Sequence, residues 1–99
     1  MKIEFTFRNP PESLTERQIA ANVADLPMPD GWTRVADVAL VEGLFKGLRV
    51  GEIAGQIGAD YDTARERFLQ LRQAACGSAP VFTLTAQTAL LHAVREAGG

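Results

Sequence analysis

Glu52-Ile53-Ala54-Gly55-Gln56-Ile57-Gly58-Ala59-Asp60-Tyr61-Asp62-Thr63-Ala64 is the most informative run in the chain. Ile53 and Ile57 stand four apart and therefore share one face of a helix. Ala54 beside them is small enough to let a following helix cross closely. Gly58 ends the helix, because a residue without Cβ takes positive φ at little cost. After a short turn through Asp60, Tyr61 and Asp62 another helix starts, and Ala64 supplies the matching small residue on its inner face. Two helices crossing steeply through a short turn form a helix-turn-helix. The competing reading is a plain helical hairpin in which these residues serve only packing. The order of small and apolar residues favours the helix-turn-helix.

Working outward, Thr33 caps a preceding helix that runs to about Lys46, with Val35, Val38, Val41, Leu44 and Phe45 supplying most of its apolar face. Leu40 lies to one side of that stripe and widens it. Gly47 is suited to a left-handed C-cap. A short helix follows over Val50 to Ile57. The third helix begins near Asp62 and reaches about Ala75, with Ala64, Phe68, Leu71 and Ala75 inward. Residues 32–75 are thus predicted to form a trihelical core.

The flanks add smaller elements. Lys2 to Arg8 alternates, with Ile3, Phe5 and Phe7 on one face, and reads as a half-buried strand ended by Asn9-Pro10-Pro11. A helix follows, capped by Ser13 or Thr15; Glu16 sits three after Ser13, in capping-box position. Leu14, Ile19, Val23 and Leu26 form its stripe, Pro27 and Pro29 stop it, and Pro29-Asp30-Gly31 reads as a turn. Beyond the core, residues 76–80 break the third helix. Val81 to Leu84 is expected as a short second strand, and Thr85 as the cap of a final helix to roughly Ala97. The expected fold class is mainly α. A trihelical helix-turn-helix core (32–75) carries an additional N-terminal strand and helix (1–31), then a short strand and C-terminal helix (76–99), in a single domain over 1–99.

Length and composition fit one globular domain: 99 residues, 46% hydrophobic and 22% charged. No apolar run approaches the roughly 20 residues of a membrane span. The first residues lack the apolar core of a secretory signal. One cysteine, Cys76, makes neither an internal disulfide nor a zinc site, which fits a cytoplasmic setting. The net charge of −2 is unhelpful to a nucleic-acid binder, which gains affinity by neutralising phosphates.

Trp32-Thr33, Asp37, Leu40, Gly47, Ile53-Ala54, Ile57-Gly58 and Ala64-Arg65-Glu66-Arg67-Phe68-Leu69-Gln70-Leu71 together resemble the Myb-like trihelical pattern. In that pattern a Trp-Thr pair opens the first helix, an Ile-Ala…Leu-Gly run forms the second, and Val-Arg-x-Arg-aromatic marks the third. The segment is also similar to that of GcrA-type bacterial cell-cycle regulators. LuxR-type regulators and the promoter-reading end of sigma factors share only the Ile-Ala…Gly part. The resemblance covers residues 32–75 and implies a DNA-binding regulator, bacterial or phage-like, with double-stranded DNA as partner. The chain departs from the pattern at Gly43, where an apolar residue is usual, and in the acidic turn Asp60-Tyr61-Asp62.

In a DNA-reading helix-turn-helix the third helix enters the major groove. With Ala64, Phe68 and Leu71 inward, Arg65 is the candidate for a base contact, its fork matching the two acceptors of guanine. Thr63 can meet a base methyl or a phosphate. Lys46, Arg49, Arg67 and Arg72 are candidates for phosphate contacts, which position without specifying sequence. Arg49 opens the second helix, where the dipole also favours a phosphate. The bland alternative for Arg65, Glu66, Arg67 and Asp62 is a set of solvated helix-surface pairs. Trp32 reads as a core anchor, and Asp37 as a partner for an arginine of the third helix.

No catalytic set emerges: His92 has no nucleophile beside it, and Cys76 lies at the unfavourable end of its helix for a thiolate. No enzyme activity, cofactor or metal is expected. The first functional expectation is therefore a small DNA-binding transcriptional regulator. The alternative is an interaction module with little direct DNA binding, acting on RNA polymerase, another regulator or a phage-like packaging complex. Between Trp32 and Ala74 six basic residues balance six acidic ones, which favours the alternative. The final helix, with Ala89-Leu90-Leu91 and Val94, can either build a homodimer interface or close over the N-terminal strand within one chain; the second is favoured.

Overall fold

A computed structural model describes residues 14–77 and 79–98. Among these the chain is mainly helical, with five helices and no strand: α1 (Glu16–Asp25), α2 (Arg34–Phe45), α3 (Val50–Ile57), α4 (Tyr61–Cys76) and α5 (Leu84–Gly98). The strand expected at Lys2 to Arg8 lies outside the described residues.

Side chains at the helix starts account for most of the boundaries. Thr15, one of the two expected caps, opens α1: its hydroxyl accepts from the Gln18 N–H at 3.1 Å. The Gln18 side chain returns the bond to the Thr15 N–H at 2.8 Å. This capping box uses Gln18 rather than Glu16. Thr33 opens α2 by accepting from the Ala36 N–H at 3.2 Å. At its end, Gly47 takes φ +83°. Its N–H donates to the Leu44 carbonyl while the Leu48 N–H donates to the Gly43 carbonyl, a Schellman closure. Gly58 ends α3 in the left-handed region at φ +71°, as its place in the run predicts. Asp60 then caps α4 by accepting from the Thr63 N–H at 3.4 Å. The acidic turn is thus shorter than expected: Asp60 is a cap, and Tyr61 and Asp62 already belong to the helix.

Val81 to Leu84 is not a strand. Thr83, not Thr85, caps α5, its hydroxyl accepting from the Ala86 N–H at 3.2 Å. The Gln87 amide ties the same corner by donating to the Phe82 carbonyl at 2.8 Å. Local side-chain bonds to the backbone thus take up groups that a sheet ladder would need.

α5 lies against α1 and α2, and α4 touches every other helix, whereas α3 touches only α2 and α4. Ala89, Leu90, Ala93 and Val94 are buried in this chain's own core, with Ile19 and Val23 of α1 and Leu40 and Val41 of α2. The final helix is therefore used intramolecularly.

α2 is rotated from its expected stripe. It buries Asp37, Leu40, Val41 and Gly43, while Val35 is 73% exposed and Phe45 39%. Two contacts impose the rotation. Asp37 faces inward to reach an arginine of α4. Gly43 faces α3 so closely that a Cβ there would lie 2.6 Å from two side-chain carbons of Ile53. The missing side chain at Gly43 is what lets α3 lie down on α2.

Candidate nucleic-acid interface

α4 has two unlike faces. Its inner face buries Ala64, Arg67, Leu71, Ala74 and Ala75. Arg67 is only 1% exposed. Its Nε donates to Asp37 Oδ1 and its Nη2 to Asp37 Oδ2, both at 2.8 Å. Nη1 donates to the Pro27 carbonyl at 3.1 Å and to Gln70 Oε1 at 3.0 Å. Nη2 also approaches the Met28 sulfur at 3.9 Å. All five guanidinium donors are thereby occupied. Trp32 completes the cluster, its Nε1 donating to Asp37 Oδ1 at 2.7 Å. A fork-shaped, weakly hydrated cation suits such a site where a lysine would not.

Arg67 is therefore not a phosphate contact. The expectation failed because its spacing from Phe68 and Leu71 marks the inner face as readily as the outer, and only the buried Asp37 decides between them. Arg72 is also engaged elsewhere. Its Nη2 donates to the Ala79 and Pro80 carbonyls at 3.3 Å each, and its guanidinium lies 5.8 Å from the centre of the Phe82 ring. It holds the α4–α5 connection.

The outer face of α4 carries Asp62, Arg65, Glu66 and Leu69, at the i, i+3, i+4, i+7 spacing of a single helix surface. Arg65 is exposed and has no ion-pair or hydrogen-bond partner among the described residues. Thr63 is half-buried at the edge of this face. Leu69, an apolar residue outside the six expected contacts, is 41% exposed, and Tyr61 is 52% exposed. Tyr61 lies at the α3–α4 junction, 3.7 Å from where a Cβ on Gly51 would stand.

Lys46 and Arg49 bracket the α2–α3 connection, both exposed. The first turn of α3 already holds an anion: Glu52 accepts from the Arg49 N–H at 2.8 Å. A phosphate approaching that helix end competes with this carboxylate. Of the six expected contacts, Lys46, Arg49, Thr63 and Arg65 remain available. The surface they define carries three cations (Lys46, Arg49, Arg65) against four acids (Glu52, Asp60, Asp62, Glu66).

Comparison of the chain with protein-family models, with curated proteins and with solved structures finds no match. Among the described residues no helix is long and apolar enough to cross a membrane.

Proposed function

We propose that this protein is a small DNA-binding regulator in which α2, α3 and α4 act as a trihelical helix-turn-helix of the Myb-like or GcrA-like kind. On this reading α4 lies in the major groove of double-stranded DNA. The observation that carries it is the division of α4: Arg67 anchors one face in the core, and Arg65 on the other has no partner among the described residues. The three-residue link Gly58-Ala59-Asp60, with Ala54 and Ala64 both buried on the paired helices, supports a close α3–α4 crossing. Arg65 would read guanine, Thr63 would touch the strand edge, and Lys46 and Arg49 would meet phosphates.

A second reading is favoured by the charge of the same surface. With Arg67 and Arg72 withdrawn, acids outnumber cations, and Tyr61 and Leu69 offer exposed apolar area. Such a face suits a protein partner, such as RNA polymerase, another regulator or a packaging assembly.

Binding to mixed genomic DNA fragments at two salt concentrations separates the two. Salt-sensitive retention of particular fragments, relaxed in Arg65→Ala, is expected of a reader. No retention even at low salt would overturn the DNA reading for this chain.

A further inference from the structure

The reading quartet of α4 contains one large apolar side chain, Leu69. The other three, Asp62, Arg65 and Glu66, are charged. Leu69 is 41% exposed on a helix that buries its alanines, Leu71 and even an arginine elsewhere. The core therefore does not need it, and a polar residue there would cost the fold little. Tyr61, the other exposed apolar side chain of α4, differs in lying against the first turn of α3.

We propose that Leu69 is a specificity-determining residue that recognises the C5-methyl group of a thymine about two steps from a guanine read by Arg65. This rests on the reading of α4 as a groove-bound helix. Only thymine presents a methyl group in the major groove, and apolar side chains are its natural contacts. Arg65 and Leu69 are four residues apart on one face, about 6 Å along the helix axis. Successive bases on one strand rise about 3.4 Å, so the thymine lies roughly two steps from the guanine.

The test replaces the DNA rather than the protein. A duplex retained in the genomic-fragment experiment is synthesised with each thymine in turn replaced by uracil, which removes the methyl and leaves both hydrogen-bonding edges unchanged. Wild-type binding is expected to weaken roughly fourfold at one thymine position, the value of one buried carbon. Leu69→Ala should bind the thymine and uracil duplexes alike. Arg65→Ala should keep the uracil sensitivity while losing selection for the guanine. Equal wild-type affinity for every uracil duplex overturns the proposal and assigns Leu69 to a protein contact, with DNA reading by Arg65 left standing. Undiminished uracil sensitivity in Leu69→Ala also overturns it. Failure of the wild-type chain to retain any duplex removes the DNA reading and this inference together.

Discussion

Arg67 of α4 and Asp37 of α2 form a fully buried, two-bond pair, each bond 2.8 Å long and each side chain 0% exposed. Burying two charges is expensive, and their attraction offsets that only when geometry is good and the remaining donors are satisfied. Here the Pro27 carbonyl, Gln70 and Trp32 supply the missing bonds. The pair fixes how α4 is rotated about its own axis, and hence which residues it shows to solvent.

Removing Asp37 leaves Arg67 charged and without an ion-pair partner in the core. Asp37→Asn is expected to lower stability by about 3–5 kcal/mol, a large share of what a domain of this size has. Urea unfolding at neutral pH measures it. A simultaneous Arg67→Met and Asp37→Leu exchange should recover only part of the loss, because it leaves the buried Trp32 Nε1–H without its acceptor. A single variant costing under about 1 kcal/mol would show that the pair does not hold the core.

The surface pair Arg95–Glu42 gives the contrast. Its bond is 2.7 Å long, but the side chains are 52% and 36% exposed. Solvent screens it, so Glu42→Gln should change stability by no more than about 0–1 kcal/mol in the same unfolding experiment.

Gly43→Ala sets two effects against each other. Alanine in a helix interior gains roughly 0.5–1 kcal/mol over glycine. The new methyl, however, would stand 2.6 Å from Ile53, and overpacking costs about 1–3 kcal/mol. Net destabilisation is expected, and it should shrink when Ile53→Ala opens the space. A double-mutant cycle by chemical denaturation reads the coupling.

Salt dependence separates the arginines. If Lys46 and Arg49 meet phosphates, substituting either by alanine should reduce the slope of log affinity against log salt by about 0.9. Arg72→Ala should leave that slope unchanged and instead speed amide exchange in the α4–α5 connection, where it holds the Ala79 and Pro80 carbonyls. An equal drop in slope for Arg72→Ala would place it at the DNA.

The helices were legible where the sequence carries local chemistry. Thr15, Thr33, Gly47 and Gly58 each act at a helix end, and such signals depend on only a few neighbouring residues. Asp37 was recognisable as a partner for an arginine of the third helix. Which arginine was not, since Arg65 and Arg67 have the same composition and differ only in rotation about α4. Val35 and Phe45 point outward against expectation for the same reason: apolar periodicity assumes that apolar residues face inward, and α2 buries an aspartate and a glycine. Thr83 and Thr85 are equivalent caps on paper. The choice falls to the Phe82–Gln87 corner, which depends on tertiary placement. Arg65, Thr63, Lys46 and Arg49 stay at the surface, whereas Arg72 was drawn away by carbonyls of a loop whose course periodicity does not describe.

The Pro27 carbonyl that receives Arg67 lies outside residues 32–75, as does Asn22, whose side chain donates to the Ala74 carbonyl at 3.0 Å. Arg34 in turn reaches back to the Val23 carbonyl at 3.3 Å. The three central helices are therefore not a portable cassette. Spliced alone into another protein, they would leave a guanidinium short of an acceptor at their centre, so recombination that preserves this unit must carry α1 along with it.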